Sequence, residues 1–108
     1  NTTLQALITM NDPVYVEAAY YLAKNYLDNN NIEDVIKAMY EKATFKKINN
    51  VKLESLVNLY NNAIKQYEND PESLKEFLDI KEETNKHHAG LTIVASAIMN
   101  LDEFLTHA

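Results

Sequence analysis

The sequence predicts an all-α domain of five to six amphipathic helices packed as an irregular helical bundle, with no sheet. Three observations predict it. Apolar residues recur at helical spacing in segment after segment, and alternation with period two is absent. One Gly and two Pro in 108 residues are too few for a fold built on tight turns. Polar residues suited to capping stand where the periodic segments begin, and Asn-rich pieces (Asn29-Asn30-Asn31, Asn49-Asn50) punctuate them as loops.

A short first helix is expected at about 3–10, where Leu4, Leu7 and Ile8 share a face. Asp12-Pro13 then supplies a cap acceptor and a proline at the first helical position, where its missing N–H costs nothing. This predicts a helix over about 13–28, with Tyr15, Ala18, Ala19, Leu22 and Tyr26 inward. Ile32, Val35, Ile36, Met39, Tyr40 and Ala43 mark the next over 32–45, opened by Asn31 with Glu33 and Asp34 at its positive end and closed near Lys46 and Lys47. Leu53, Leu56, Val57, Tyr60, Ile64 and Tyr67 define one over 51–68; Val35 and Leu56 are expected in the core. Asp70-Pro71 starts a helix of one or two turns over 72–79. Leu91, Val94, Ala95, Ile98 and Leu101 define the last, over 89–101.

Charge and composition restrict function. Ten Lys, no Arg and sixteen acidic residues give a net charge of −6. Nucleic-acid phosphates need a clustered positive surface, so a nucleic-acid partner is not expected, and the overall charge also counts against anionic lipid. The apolar run from Leu91 to Met99 is too short for a membrane span. With no Cys, disulfides, thiolate metal sites and c-type haem attachment within this chain are excluded. The opening Asn1-Thr2-Thr3, without Met, reads as a fragment of a longer protein: one helical domain over 1–108, cut from the C-terminal part of its parent.

No catalytic or metal-ligating set emerges. His87 and His88 are adjacent, so on a helix they project about 100° apart and cannot share a metal as an i, i+4 pair does. They read as a solvated loop entering the last helix, in preference to a half-site of Glu83 and His87 completed by the distant His107. Paired acids (Glu33/Asp34, Glu82/Glu83, Asp102/Glu103) are ordinary at helix ends, and a general acid needs burial to raise its pKa. Seven Tyr against three Phe is the one unusual aromatic choice. Core packing with the hydroxyl at the rim is the ordinary reading; an aromatic platform for sugar or protein, at Tyr20 and Tyr21, is the functional one. A tetratricopeptide array is disfavoured, because the two Asp-Pro starts do not repeat at that family's period.

Two segments carry a resemblance. Thr3-Leu4-Gln5-Ala6-Leu7, Met10-Asn11-Asp12-Pro13 and Val16-Glu17-Ala18-Ala19 resemble the opening signature of the planctomycete-cytochrome-associated domain of unknown function. Ile98-Met99-Asn100-Leu101-Asp102-Glu103-Phe104-Leu105-Thr106 is similar to that family's terminal motif. The chain departs from the family at Thr2-Thr3, at the turn Phe45-Lys46-Lys47-Ile48-Asn49, and at Asp79–Thr84. The resemblance implies a C-terminal piece of an exported bacterial protein, periplasmic or at the cell surface, whose other modules often carry haem and sometimes bind carbohydrate. It implies no catalytic residues and no cofactor in this domain.

The expected function is therefore a non-catalytic structural or interaction domain facing upstream domains of its parent or another protein, with carbohydrate a weaker alternative. The competing readings are the helical part of an enzyme with an acidic site at Asp12, Asp102 and Glu103, and a peptide-binding helical repeat. The candidate structural or interface residues are Asn11, Asp12, Pro13, Tyr20, Tyr21, Asn100, Asp102 and Glu103. The two end motifs are expected to meet, with Leu4, Leu7 and Ile8 packed on the segment Leu91–Leu105.

Overall fold

A computed structural model describes residues 13–78 and 84–101, with side chains described from residue 16 onward except at 73 and 77. Among the described residues there are five helices and no strand: α1 (Pro13–Lys24), α2 (Ile32–Thr44), α3 (Asn50–Asn69), α4 (Pro71–Phe77) and α5 (Lys86–Met99). The predicted helix at 3–10, its packing on the last helix, and the cap role of Asp12 lie outside the described residues.

Local chemistry sets the boundaries. Asn31, Asn49 and Asn85 are N-caps in extended conformation, accepting from the backbone N–H of Asp34, Lys52 and His88 at 3.2, 2.8 and 2.8 Å. Each satisfies a donor that the first turn leaves orphaned. Pro13 and Pro71 open α1 and α4, as expected from their fixed φ. Helix α1 ends earlier than expected: Asn25 and Tyr26 donate to Leu22 and Ala23 in tight i→i−3 turns. Phe45 ends α2 in the left-handed region (φ 61°), its N–H donating to Glu41 O at 2.8 Å. That conformation costs an L-residue on the order of 1–2 kcal/mol, and glycine is the usual occupant.

Helix α5 is the centre of the fold. Every residue from His88 to Met99 is buried, including Thr92 and Ser96, and the other four helices all contact it. It is thus apolar on all faces, where the sequence suggested a single stripe. Thr92 removes its own polarity by donating to His88 O at 2.8 Å. Helix α1 makes the broadest pairing with α5, through the fully buried Ala19 and Ala23. The inward face of α1 is rotated from the expected one: Ala18 is exposed, while Tyr20 is buried. Helix α2 buries Val35, Ile36, Met39 and Tyr40, on the predicted stripe. In α3 the deepest residues are Leu56, Leu59 and Ala63, with Leu53, Val57, Tyr60 and Tyr67 packed around their margin. Leu74 and Leu78 close the core from α4. Val35 and Leu56 are core residues, as expected. Helices wrapped around a central one leave no open superhelical array, so the repeat reading is dropped.

The single glycine permits a close approach of α3 to α5. A Cβ at Gly90 would lie 2.8 Å from Tyr60 Cε1, 3.0 Å from its Cδ1 and 3.2 Å from Ile64 Cδ1. Alanine in a helix interior ordinarily gains up to about 1 kcal/mol over glycine. Here the tyrosine ring blocks the added methyl, and overpacking a core typically costs about 1–3 kcal/mol. Gly90→Ala is expected to lower stability by about 1–2 kcal/mol, read from the urea midpoint at constant slope; a gain would show that the crossing has slack.

Candidate functional site

The densest polar cluster surrounds the start of α5. Asn85 caps the helix through the His88 N–H, which places Lys86, His87 and His88 in its first turn. This corrects the expectation of a solvated loop entering a helix at 89. The Asn85 cap extends the helix back over both histidines, and their rings then point to different neighbours, as adjacent helical positions must.

His88 is 5% exposed. Its ring stacks on Tyr20 with centroids 4.1 Å apart, and its Nε2 lies 3.0 Å from the Tyr20 carbonyl oxygen. A carbonyl only accepts, so Nε2 carries the proton and donates. His87 is partly exposed and bridges two elements. Its Nε2 lies 3.2 Å from Asn29 O and its Nδ1 lies 2.7 Å from the Tyr60 hydroxyl. The same reasoning assigns Nε2 as the donor to Asn29, so in the neutral ring Nδ1 accepts from Tyr60. Tyr20 and Asn29 belong to α1 and the loop after it, and Tyr60 to α3. The two imidazoles therefore fasten three parts of the chain to one helix end.

Two further ties lie nearby. Tyr67 donates to Thr84 O at 2.7 Å, and Lys86 Nζ meets Glu68 Oε2 at 2.8 Å in an exposed ion pair. The Thr84 hydroxyl is buried without a partner among the described residues. No three His, Asp or Glu gather to hold a metal ion among the described residues. No helix of the described residues is long and apolar enough to cross a membrane.

The residues singled out from sequence are placed as follows. Tyr20 and Tyr21 touch edge to face at 5.6 Å, but Tyr20 is 9% exposed and Tyr21 53%. Of the pair, only Tyr21 presents a broad surface, with Lys24 Nζ 5.9 Å from its ring centroid. Asn100 is the C-cap of α5, its N–H directed to Ala97 O and Ile98 O and its side-chain amide donating to Ser96 O at 2.9 Å. Pro13 is the first residue of α1. Asn11, Asp12, Asp102 and Glu103 lie outside the described residues. His87, His88, Asn29 and Tyr60 were not among the candidates. The signal that could have found them is Asn85, an N-cap residue three positions before His88.

Comparison with protein-family models matches residues 1–60 to PSD1, described as "Protein of unknown function (DUF1553)". The match takes in α1, α2 and the first half of α3, more than half of the chain. The chain belongs to this family. Searches of curated proteins and of solved structures returned no match. The matched stretch contains Tyr20, Asn29 and Tyr60, while the histidines they bond lie in the remainder.

Burial pushes the Tyr60 hydroxyl above its ordinary value of 10.0. A raised value means that folding favours the neutral phenol. That contribution is whole below pH 10 and is lost as pH rises through the folded-state value. Tyr60→Phe removes the bond to His87 and is expected to cost about 1 kcal/mol at neutral pH. The variant should also lose less stability than the parent chain on going to strongly alkaline buffer. Urea unfolding across that range checks both; equal alkaline losses would contradict the assignment.

Proposed function

We propose that the chain is a non-catalytic structural and interaction domain of an exported, multidomain, cytochrome-c-associated bacterial protein, and that it packs against upstream modules of that parent. The observation that carries this reading is how the fold uses its polar side chains. His87, His88, Tyr60 and Tyr67, the groups best suited to chemistry in the described interior, are engaged in joining helices to one another. A group whose donors and acceptors are held by backbone carbonyls and neighbouring rings is a fastener.

The motif resemblance at Thr3–Ala19 and Ile98–Thr106 supports the exported setting and a parent whose haem lies in other modules. The absence of cysteine fits that division, since c-type attachment needs thiols that this chain lacks. Tyr21, exposed beside Lys24, is the described candidate residue best presented to a partner.

The test is to produce the parent's upstream modules and this chain as separate polypeptides and titrate one with the other by calorimetry. Saturable one-to-one binding, weakened at least about threefold by Tyr21→Ala, is the expected outcome, since exposed tyrosine is enriched at interface cores. Lack of binding would count against the reading. So would loss of a parental catalytic activity on Asp102→Asn or Glu103→Gln with folding intact, which would favour the acidic-site enzyme.

A further inference from the structure

The turn between α2 and α3 combines three features that the packing of the core does not require. Phe45 is 77% exposed and Val51 75%, two of the three large apolar residues so exposed among those described. Phe45 also holds a left-handed backbone conformation (φ 61°) that an aromatic residue rarely adopts. Lys42, Lys46, Lys47 and Lys52 fall within the same stretch, and no acidic residue interrupts it between Glu41 and Glu54. Four of the ten positive side chains of an acidic chain are thus gathered at one turn.

The turn is built rather than loose. The buried Thr44 hydroxyl donates to Tyr40 O at 2.8 Å and accepts from the Lys46 N–H at 3.2 Å. Lys52 Nζ lies 3.3 Å from the Tyr40 hydroxyl and 5.7 Å from its ring centroid. Lys42, Lys46 and Lys47 are exposed. Residues held in such strained conformations persist only where their surroundings fix them, and they cluster at functional sites.

We infer that this turn docks on an anionic lipid surface, Phe45 and Val51 entering the headgroup region while the lysines meet lipid phosphates. The partner's sign follows from charge complementarity. Its kind follows from size: two exposed apolar side chains fall far short of the roughly 800 Å² per partner that a stable protein interface buries. A bilayer sets no such threshold, because each apolar group that enters and each lysine near the surface adds its own increment. The net charge of −6, which counts against lipid for the chain as a whole, does not describe this turn. Such docking rests on reading the chain as an interaction domain.

Cosedimentation with vesicles tests it, comparing phosphatidylcholine alone with phosphatidylcholine containing about one-third phosphatidylglycerol. The chain is expected to bind the anionic vesicles, to ignore the neutral ones, and to weaken as salt shortens the screening length. Each lysine is worth about fivefold, so the double variant K46E/K47E should bind at least about 25-fold more weakly. Phe45→Gly should weaken binding about fivefold or more while its thermal midpoint stays level or rises, since glycine removes the left-handed strain. Failure to bind anionic vesicles, or binding indifferent to both variants, overturns the inference. Self-association without lipid that Phe45→Gly abolishes also overturns it, in favour of a second copy as the occupant. The assay contains no upstream module, so its failure is distinguishable from failure of the titration that tests the interaction-domain reading.

Discussion

A helix that is apolar on every face has to be surrounded, and α5 imposes that condition on the rest of the molecule. Its backbone groups are satisfied within the helix, but its side chains from Ala89 to Met99 need apolar neighbours on all sides. A single flanking helix covers only one stripe. Among the described residues, four helices of different length pack around it instead, and each contributes what its position allows. Helix α1 brings alanines, which permit an intimate approach; α3 brings Tyr60 and Ile64, which need the missing side chain of Gly90. The short α4 adds Leu74 and Leu78. The mixture of small and large residues facing α5 is what makes the bundle irregular.

Apolar packing fixes the register of the central helix only in part, through the fit of Gly90 against Tyr60 and Ile64, because its faces are otherwise chemically alike. The polar ties at its N-terminal end remove the remaining freedom. His88 finds the Tyr20 carbonyl while His87, a single residue earlier, finds both Asn29 and Tyr60. Rotation that kept one imidazole in place would take the other out of reach, since adjacent positions differ by about 100°. At the other end, Asn100 turns back onto Ser96 O and closes the helix. Buried polar groups of this kind are costly when unpaired, so they discriminate among registers that the apolar contacts would tolerate.

Most of the element order was legible in the sequence, because asparagine caps, Asp-Pro starts and helical periodicity agree with one another at α2, α3 and α4. Inward faces were less legible. Ala19 is buried as expected, but Ala23 and Ala63 are fully buried without having stood on the predicted stripes, because alanine carries little apolar weight beside larger neighbours such as Leu22 and Tyr67. The central role of α5 was present in the stretch Leu91–Met99, which carries no charged residue and is interrupted only by Thr92 and Ser96, and which a test for membrane spans alone leaves unused. The histidines were misplaced for a different reason. Two adjacent polar residues resemble a loop unless the cap before them is recognised, and their partners lie 27 to 68 positions away. Separation of that order cannot be read from local pattern.

The sign of a surface is a local property, and the α2–α3 turn shows why whole-chain charge misleads. At physiological ionic strength, exposed charges are screened beyond about 8 Å. Carboxylates farther away than this do little to offset Lys46 and Lys47, however many the chain carries. The lysines, in contrast, fall at the end of α2, in the turn and in the first turn of α3. Phe45 sharpens the point. Lysines in the last turn of a helix are ordinary complements to its negative end, and by themselves would call for no explanation. An exposed aromatic ring at a left-handed position between Lys42 and Lys46 has no such ordinary account, because glycine would end the helix at lower cost. Helix termination accounts for the lysines and for a left-handed residue, but not for an exposed aromatic side chain at that residue in place of glycine.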